Sequence, residues 1–356
     1  MIKKVALIIV VLVIIAILAV FAWYNISVSP VNKDDDTEYT IEIPKGSNSS
    51  TIAQKLENEG VIRSALAFRI YVKLNNVSNL KAGTYDLTKS LSVEDMIEFI
   101  QTGKVSSKHS VSITFVEGKN MRWVASKIAE ATNNTEEDVY SLLEDEEYID
   151  SLIDKYWFIT EEIKNDDIFY PLEGYLFPDT YRFENKDVTV EKIFEKLLDQ
   201  MDNKLSNHKE QIENSNYTVH QLLSIASIIE NEAVFDKDRK NVASVIYNRL
   251  NINMPIQSDV TTYYALKIDM GSRDLYSADI NTNNPYNTRG PNMNGKLPVG
   301  PISAIGLNSI EAAINPNETS YLYFVADKNG NVYFTTTYNE HTEKVNELKK
   351  SEMWIF

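Results

Sequence analysis

The chain has 356 residues, a net charge of −16 at pH 7 and no cysteine. Its length predicts two or three domains, and its acidic balance argues against a nucleic-acid partner, since binding phosphates needs a basic face. A hydrophobic fraction of 43% excludes wholesale disorder, and the lack of cysteine excludes disulfides, thiolate nucleophiles, zinc knuckles and iron–sulfur clusters.

The first feature along the chain is an uncharged apolar run over 5–23, preceded by Lys3 and Lys4. As a helix, this run would span about 28 Å, close to the hydrocarbon thickness of a bilayer. We therefore predict a transmembrane helix at 5–24, with residues 1–4 in the cytoplasm and the rest of the chain outside it. A cleaved signal peptide ending near Ser27 is the alternative, although the apolar run is longer than such segments usually are.

A polar linker at 25–38 precedes the pattern of a small α+β module. Apolar periodicity predicts the order strand, helix, helix, strand, helix, at 39–43, 50–60, 65–74, 83–87 and 92–101.

A second block, 106–165, begins with a predicted strand at 112–116. An amphipathic helix through Val124 and Ile128 follows, and then acidic helices. A polar break near 164–167 separates it from the largest block, 166–350.

The segment 220–235 is apolar around most of its helical circumference, which predicts a buried helix, and Glu230 lies in it. A carboxyl among apolar neighbours should have a raised pKa, because desolvation disfavours its charged form, and it could then donate a proton near neutral pH. Glu232 would point about 200° away on a regular helix, so the two are not expected to form a dyad. Alternatively, Glu230 lies at the solvent edge of the helix or pairs with Arg249.

Several loops of the largest block combine amide, hydroxyl and aromatic side chains with prolines, at 254–259, 284–289 and 297–302. This mixture is typical of sugar-binding clefts, although ordinary surface loops often resemble it. The four histidines lack the short spacing of a metal site, and no glycine-rich phosphate loop or Gly-x-Ser-x-Gly nucleophile turn occurs.

Six motifs follow one another in the chain: LEGYLFPDTY at 172–181, ASIIENE at 226–232, VASVIYNRL at 242–250, IQSD at 256–259, YNT at 286–288 and YLYFVA at 321–326. Together they closely resemble the endolytic murein transglycosylase family, the YceG-like proteins. The resemblance extends from the predicted membrane anchor nearly to the C-terminus.

This resemblance implies a single membrane span followed by a LysM-like module at 39–105, and the block at 106–165 is predicted from its pattern to be an α+β connecting subdomain. The catalytic domain at 166–350 would be extracytoplasmic and mixed α+β, with Glu230 on a buried helix. No metal or organic cofactor is implied.

The resemblance also implies cleavage of peptidoglycan between N-acetylmuramic acid and N-acetylglucosamine, within the strand and without water, leaving 1,6-anhydro ends. Glu230 matches the catalytic glutamate, which would protonate the leaving oxygen and take the proton of the C6 hydroxyl. An enzyme anchored on the outer face would terminate nascent strands beside peptidoglycan synthases, the penicillin-binding proteins. The predicted substrate-binding residues are Glu232, Glu173, Tyr175, Asp179, Tyr181, Asn248, Gln257, Ser258, Asp259, Tyr286, Asn287 and Thr288.

Two positions depart from the family pattern. Val260 follows Asp259 where the family usually has proline, and Ser303-Ala304-Ile305-Gly306 stands where the family commonly reads Asn-Pro-Gly.

Two other functions compete with this prediction. One is a hydrolytic muramidase, in which Glu173, Asp179 or Asp259 supplies the second carboxylate that ordinary glycosidases need. The other is a non-catalytic scaffold that binds the cell wall through the LysM-like module.

Overall fold

The computed structural model describes residues 2–103, 110–233 and 235–354, with no description of the side chains of 2–11. Within those residues the fold is mixed α+β, with fifteen α-helices and three two-stranded sheets, as the sequence predicted. The chain divides into two compact units, Met1–Val111 with Phe183–Lys186, and Ser112–Arg182 with Asp187–Phe356. The predicted boundary at 105/106 lies outside the described residues, and the predicted boundary at 165/166 stays a prediction.

The first unit begins with helix α1, Ile2–Val28. In the described part of the chain, no helix has both the length and the apolar character needed to cross a membrane. The predicted span at 5–24 includes residues 5–11, whose side chains lie outside the description, and it stays a prediction.

The rest of this unit has the predicted order of strands and helices. Strand β1 (Glu38–Ile43) is followed by α2 (Ser49–Asn58), α3 (Ala65–Leu74), β2 (Gly83–Thr88) and α4 (Val93–Thr102). The two strands pair antiparallel along their whole length, so their inward-facing residues share a core with all three helices. That core includes Ile41, Leu56, Phe68, Tyr85 and Met96.

The second unit is mainly helical. Its elements, starting at the unit boundary, are β3 (Val111–Thr114), α5 (Met121–Ala131), α6 (Glu136–Leu143), α7 (Glu146–Lys155), a 3-10 turn (Glu161–Lys164), β4 (Thr180–Phe183), α8 (Val190–Ser206), α9 (Lys209–Glu213), α10 (Val219–Glu232), α11 (Asp236–Asn251), α12 (Asp259–Ala265), α13 (Ser277–Ile280), α14 (Leu307–Ile314), β5 (Tyr323–Ala326), β6 (Val332–Thr335) and α15 (Tyr338–Lys350). Strand β3 pairs with β4, and β5 pairs antiparallel with β6.

Helix α10 is buried at the centre of this unit, as its apolar circumference predicted. It packs against α11, α12 and α14, and Leu222 to Ile229 are all buried. Thr218 and Gln221 form a capping box at its start. The helix ends at Glu232, three residues earlier than predicted, because Ala233 takes an extended conformation; Val234 lies outside the described residues. Glu230 therefore stands in the last turn of α10.

Candidate active site

The side chain of Glu230 is 5% exposed and is hydrogen-bonded through both of its oxygens. Oε1 accepts from Nη1 of Arg239 at 3.2 Å, and Oε2 accepts from the backbone N–H of Gly306 at 2.9 Å. Charge-assisted bonds of this kind stabilise a carboxylate. The expectation of a lone carboxyl among apolar neighbours is therefore wrong, because a guanidinium and a backbone donor reach it from α11 and from the start of α14.

Arg239, not Arg249, is the cation that pairs with Glu230. Its Nε binds Asp236 Oδ1 at 2.9 Å, and its Nη1 also donates to Ser309 Oγ. Arg249 lies elsewhere, where its guanidinium donates to the carbonyls of Leu322 and Ile256 at 2.6 Å each. The arginine four residues into α11 thus links α10, α11 and α14.

A second carboxyl, that of Glu117, lies at the same site. A Cβ atom placed on Gly306 would overlap the carboxyl group of Glu117, while the Gly306 N–H binds Glu230. The Glu117 side chain is exposed, yet the protein atoms around it raise its pKa by desolvation, and the nearby charge of Glu230 raises it further. Sequence reasoning missed this residue, since the only signal was a glutamate before a glycine in a turn between a strand and a helix.

Two backbone hydrogen bonds hold in place the turn at 117–119, called here the Glu117 turn. Gly118 N donates to Ala304 O at 2.8 Å, and Ala304 N donates to Lys119 O at 2.7 Å. Gly118 has φ +73°, a conformation that favours glycine. The segment that departs from the family pattern therefore contacts the site directly, because Ala304 pairs with the turn and Gly306 binds Glu230.

Glu232 faces away from Glu230, as the helical geometry predicted. Its Oε1 accepts from Ser258 Oγ at 2.5 Å, and burial raises its pKa. Ser258 N in turn donates to Thr288 Oγ1 at 3.0 Å. The two glutamates of α10 thus belong to different hydrogen-bond networks.

Glu173 is buried under the start of α5. Its Oε2 accepts from Met121 N at 2.8 Å and from the hydroxyl of Tyr264 at 3.0 Å. Burial raises the pKa of Glu173 to about 7. This carboxyl satisfies an unpaired N–H of the first turn of α5, close in sequence to the Glu117 turn.

Tyr175 and Tyr181, from the same motif as Glu173, are also buried. The hydroxyl of Tyr175 bonds to His220 Nδ1 at 2.8 Å, and His220 Nε2 bonds to Val299 O at 2.8 Å. Tyr181 donates to Phe177 O at 2.8 Å. The bonds of His220 to Tyr175 and to Val299 O hold the segment before Gly300 against α10.

The predicted motif at 286–288 is fully buried. Tyr286 accepts from Phe169 N at 3.3 Å, Asn287 donates to Ile280 O and Thr282 O, and Thr288 bonds to Thr261. These polar atoms are engaged within the protein.

Asn248 is half-buried and donates to Thr319 O and Tyr321 O, each at 2.9 Å. It lines a cavity of about 740 Å³ with Ser244, Tyr247 and the segment 316–321, away from Glu230. A role for Asn248 in binding sugar stays a prediction.

Three predicted binding residues are exposed. Asp179 accepts a hydrogen bond from Thr180 N at 2.7 Å, and Asp259 forms an ion pair with Arg289 at 2.9 Å. The backbone of Gln257 is left-handed, with φ +56°. All three are accessible to a ligand, and their binding roles stay predictions, as do those of the buried residues above. No group of three His, Cys, Asp or Glu side chains that could hold a metal ion occurs in the described part of the chain.

Comparison with known proteins gives consistent matches. A sequence model of the YceG-like family matches residues 41–347. The chain is 38% identical over 317 residues to a protein of Bacillus subtilis (strain 168) named endolytic murein transglycosylase, covering 89% of this chain and 86% of that protein. It is 34% identical over 341 residues to a protein of the same name from Streptococcus pneumoniae serotype 2, covering 92% of this chain but only 61% of the streptococcal protein.

A solved structure has the same fold. The crystal structure of a YceG-like protein from Listeria monocytogenes superposes with a TM-score of 0.62 at 37% sequence identity. The match covers 86% of this chain and 99% of the Listeria chain.

Proposed function

The chain belongs to the YceG-like family, and on that basis we propose that it is a peptidoglycan lytic transglycosylase with Glu230 in its active site. The relatives named endolytic murein transglycosylase support the activity. The structural observation that carries the choice of Glu230 is its environment: a nearly inaccessible carboxyl on a buried helix, bound by Arg239 and by the Gly306 N–H.

The reaction that fits this site is an intramolecular one. The C6 hydroxyl of the muramic acid residue attacks its own C1, the bond from C1 to the leaving oxygen breaks, and a 1,6-anhydro end forms within the strand. Because substrate and nucleophile are one molecule, the nucleophile is already positioned, and a nucleophilic carboxylate is unnecessary. The protein has to move one proton from the C6 hydroxyl and deliver one to the leaving oxygen.

Glu230 is suited to the first of these transfers. Its two oxygens are bound by donors that stabilise a carboxylate, and a carboxylate accepts the proton of an attacking hydroxyl. Its place in the last turn of α10 lets Arg239 and Gly306 fix its orientation without side-chain rearrangement.

The enzyme acts at the outer face of the cell membrane, anchored by α1 with its N-terminus in the cytoplasm. The uncharged run over 5–23 supports this proposal, as do the exposed apolar side chains of α1, such as Ile17 and Phe21. Anchoring would bring the active site to newly made strands beside the synthases that extend them. The LysM-like module would bind glycan or act as a spacer between membrane and active site.

A hydrolytic muramidase is the second candidate, and one observation favours it. Glu117 is a second carboxyl at the Glu230 site, whereas Glu173 is buried under α5 and Asp259 is paired with Arg289. A muramidase leaves reducing ends, and these are heavier by one water than anhydro ends.

Mass spectrometry of glycan strands incubated with the full chain in detergent tests both candidates. We expect internal cleavage with 1,6-anhydro ends from the native protein. Glu230→Gln should lose about 10²–10⁴-fold in rate, the usual contribution of acid–base catalysis. Glu343→Gln, which changes an exposed glutamate of α15, serves as the control. Reducing ends would establish the muramidase, and full cell-wall function of Glu230→Gln in cells would support the non-catalytic scaffold.

A further inference from the structure

We propose that Glu117 is a second catalytic residue of this site, the general acid that protonates the leaving oxygen, while Glu230 is the base that accepts the proton of the C6 hydroxyl. The inference rests on the proposed function and divides between two carboxyls the two proton transfers that sequence reasoning assigned to Glu230 alone.

The position of Glu117 is determined by the backbone. Its turn lies between β3 and α5, and the paired hydrogen bonds of Gly118 and Lys119 with Ala304 join it to the segment that leads into α14. At the other end, Met121 N is held by the buried carboxylate of Glu173. A turn fixed on both sides presents its side chain in a defined direction, which acid catalysis requires.

Gly306 brings the two carboxyls together. Its N–H binds Glu230, and the space where a Cβ would stand is filled by the carboxyl of Glu117. The φ of −74° at Gly306 is one that any residue adopts, so the backbone does not call for glycine there. An alanine at position 306 would instead occupy the space that the Glu117 carboxyl fills.

The surroundings of the two carboxyls differ in the way that acid and base require. Glu230 has the cation and the backbone donor, whereas Glu117 forms neither an ion pair nor a hydrogen bond with any described residue. Desolvation raises the pKa of Glu117 most, the charges of Glu230 and Asp236 raise it further, and Arg239 opposes them. A carboxyl whose pKa is raised keeps its proton at a higher pH than an ordinary carboxyl does, which suits Glu117 to the role of the acid.

The reaction balances with these two residues. Protonated Glu117 gives its proton to the leaving oxygen as the bond from that oxygen to C1 breaks. The C6 oxygen forms its bond to C1 and passes its proton to the Glu230 carboxylate. After product leaves, Glu117 is a carboxylate and Glu230 is protonated, and exchange of one proton through water restores the starting state. No water is consumed.

Two substrates separate the acid from the base. The first is the glycan strand, and the second is a dinitrophenyl glycoside of the disaccharide ending in muramic acid, whose leaving group needs no proton. For the full chain in detergent, we expect Glu117→Gln to lose about 10²–10⁴-fold on glycan but no more than about tenfold on the aryl glycoside. Glu230→Gln should lose activity on both, since both substrates need the C6 hydroxyl deprotonated. Glu343→Gln is the matched control.

The pH profile gives a second readout that a structural role would not change. An acid must be protonated, so the native rate on glycan should fall as pH rises through the raised pKa of Glu117. With the aryl glycoside that alkaline limb should disappear. Gly306→Ala should displace the Glu117 carboxyl and reduce glycan cleavage, and it should cause little further loss in the Glu117→Gln background.

Two results would overturn the inference while leaving the proposed function standing. One is that Glu117→Gln forms anhydro product at the native rate. The other is that Glu117→Gln loses the same factor in rate on glycan and on the aryl glycoside. Cleavage of neither substrate by the native protein would overturn the proposed function and this inference together. Reducing ends from the native protein would likewise refute the division of roles, since the attacking oxygen would then be water.

Discussion

Arg239 is the residue on which the Glu230 site depends most directly. It is 10% exposed, and it donates to Glu230, Asp236 and Ser309, which lie on three different helices. The Glu230 side chain is also nearly inaccessible. If either residue is removed, water therefore cannot solvate the charge of the one that remains. The pair therefore has to be considered as a unit in any substitution experiment.

We predict that Arg239→Gln destabilises the protein by about 3–5 kcal/mol, because it leaves the carboxylate of Glu230 buried without its cation. Glycan cleavage should fall as well, since the carboxyl loses one of its two orienting bonds. Urea unfolding followed by tryptophan fluorescence measures the stability. The double variant Arg239→Gln/Glu230→Gln should lose less stability than the sum of the two single variants. Strictly additive losses of stability would contradict the pairing.

At the scale of the elements, Glu173 supports the turn at 117–119 that borders the candidate site. This carboxyl binds the first turn of α5 and the hydroxyl of Tyr264 on α12, so it connects two helices in the interior. Gly174, the next residue, has φ +79° and packs so closely on Pro301 that a Cβ would overlap it. Glu173 and Gly174 thus support the candidate site from the interior of the unit.

The raised pKa of Glu173 predicts that the stability of the protein depends on pH. Its pKa is about 7 in the folded protein and near 4.5 when exposed, so the folded state binds this proton more tightly than the unfolded chain. The stabilisation is complete below pH 4.5 and is lost as pH rises through 7, amounting to about 3 kcal/mol. In Glu173→Gln, whose amide oxygen can accept both hydrogen bonds, we expect this part of the dependence to vanish.

The measurement is the unfolding midpoint in urea at pH 4.5, 6 and 8 for the native chain, Glu173→Gln and the control Glu343→Gln. The difference between the native chain and Glu173→Gln should change across this range, whereas the control should follow the native curve. A constant difference would show that Glu173 has the same protonation in both states.

Regular elements were well predicted where the apolar pattern was long. Helix α3 matches its predicted bounds, and α10 was recognised as buried because apolar residues cover its circumference. The end of α10 was placed too late, since the apolar Val234 extended the pattern beyond the residue where the backbone turns. Local periodicity contains no information on which arginine of α11 would reach back to Glu230.

At the scale of the whole molecule, the chain forms two compact units, and the first begins with the apolar helix α1. From residue 12 onward this helix exposes large apolar side chains, among them Leu12, Leu18 and Phe21. An exposed apolar surface of this extent is unfavourable in water, which is why we propose a membrane as its environment.

We predict that replacing Ile14 and Leu18 by lysine removes the protein from the membrane fraction. Each charge near the centre of a membrane helix costs about 2.5–3.5 kcal/mol on insertion scales. Fractionation of cells followed by carbonate extraction measures the distribution. Leu66→Lys, at an exposed apolar position of α3, is the control and should remain with the membrane. Membrane retention of the double lysine variant would refute the anchor.

The sequence alone determined the family, the α+β class and the order of elements in the first unit, and it singled out Glu230 as the candidate catalytic residue, because these follow from local periodicity and from motifs in a fixed order. Only the tertiary structure decided which residues surround Glu230. Arg239, Gly306 and Glu117 lie 9, 76 and 113 positions away from it in the chain. These positions come together through the packing of α10, α11 and α14 and through the hydrogen bonds of the turn at 117–119 with Ala304, and no pattern along the chain specifies them.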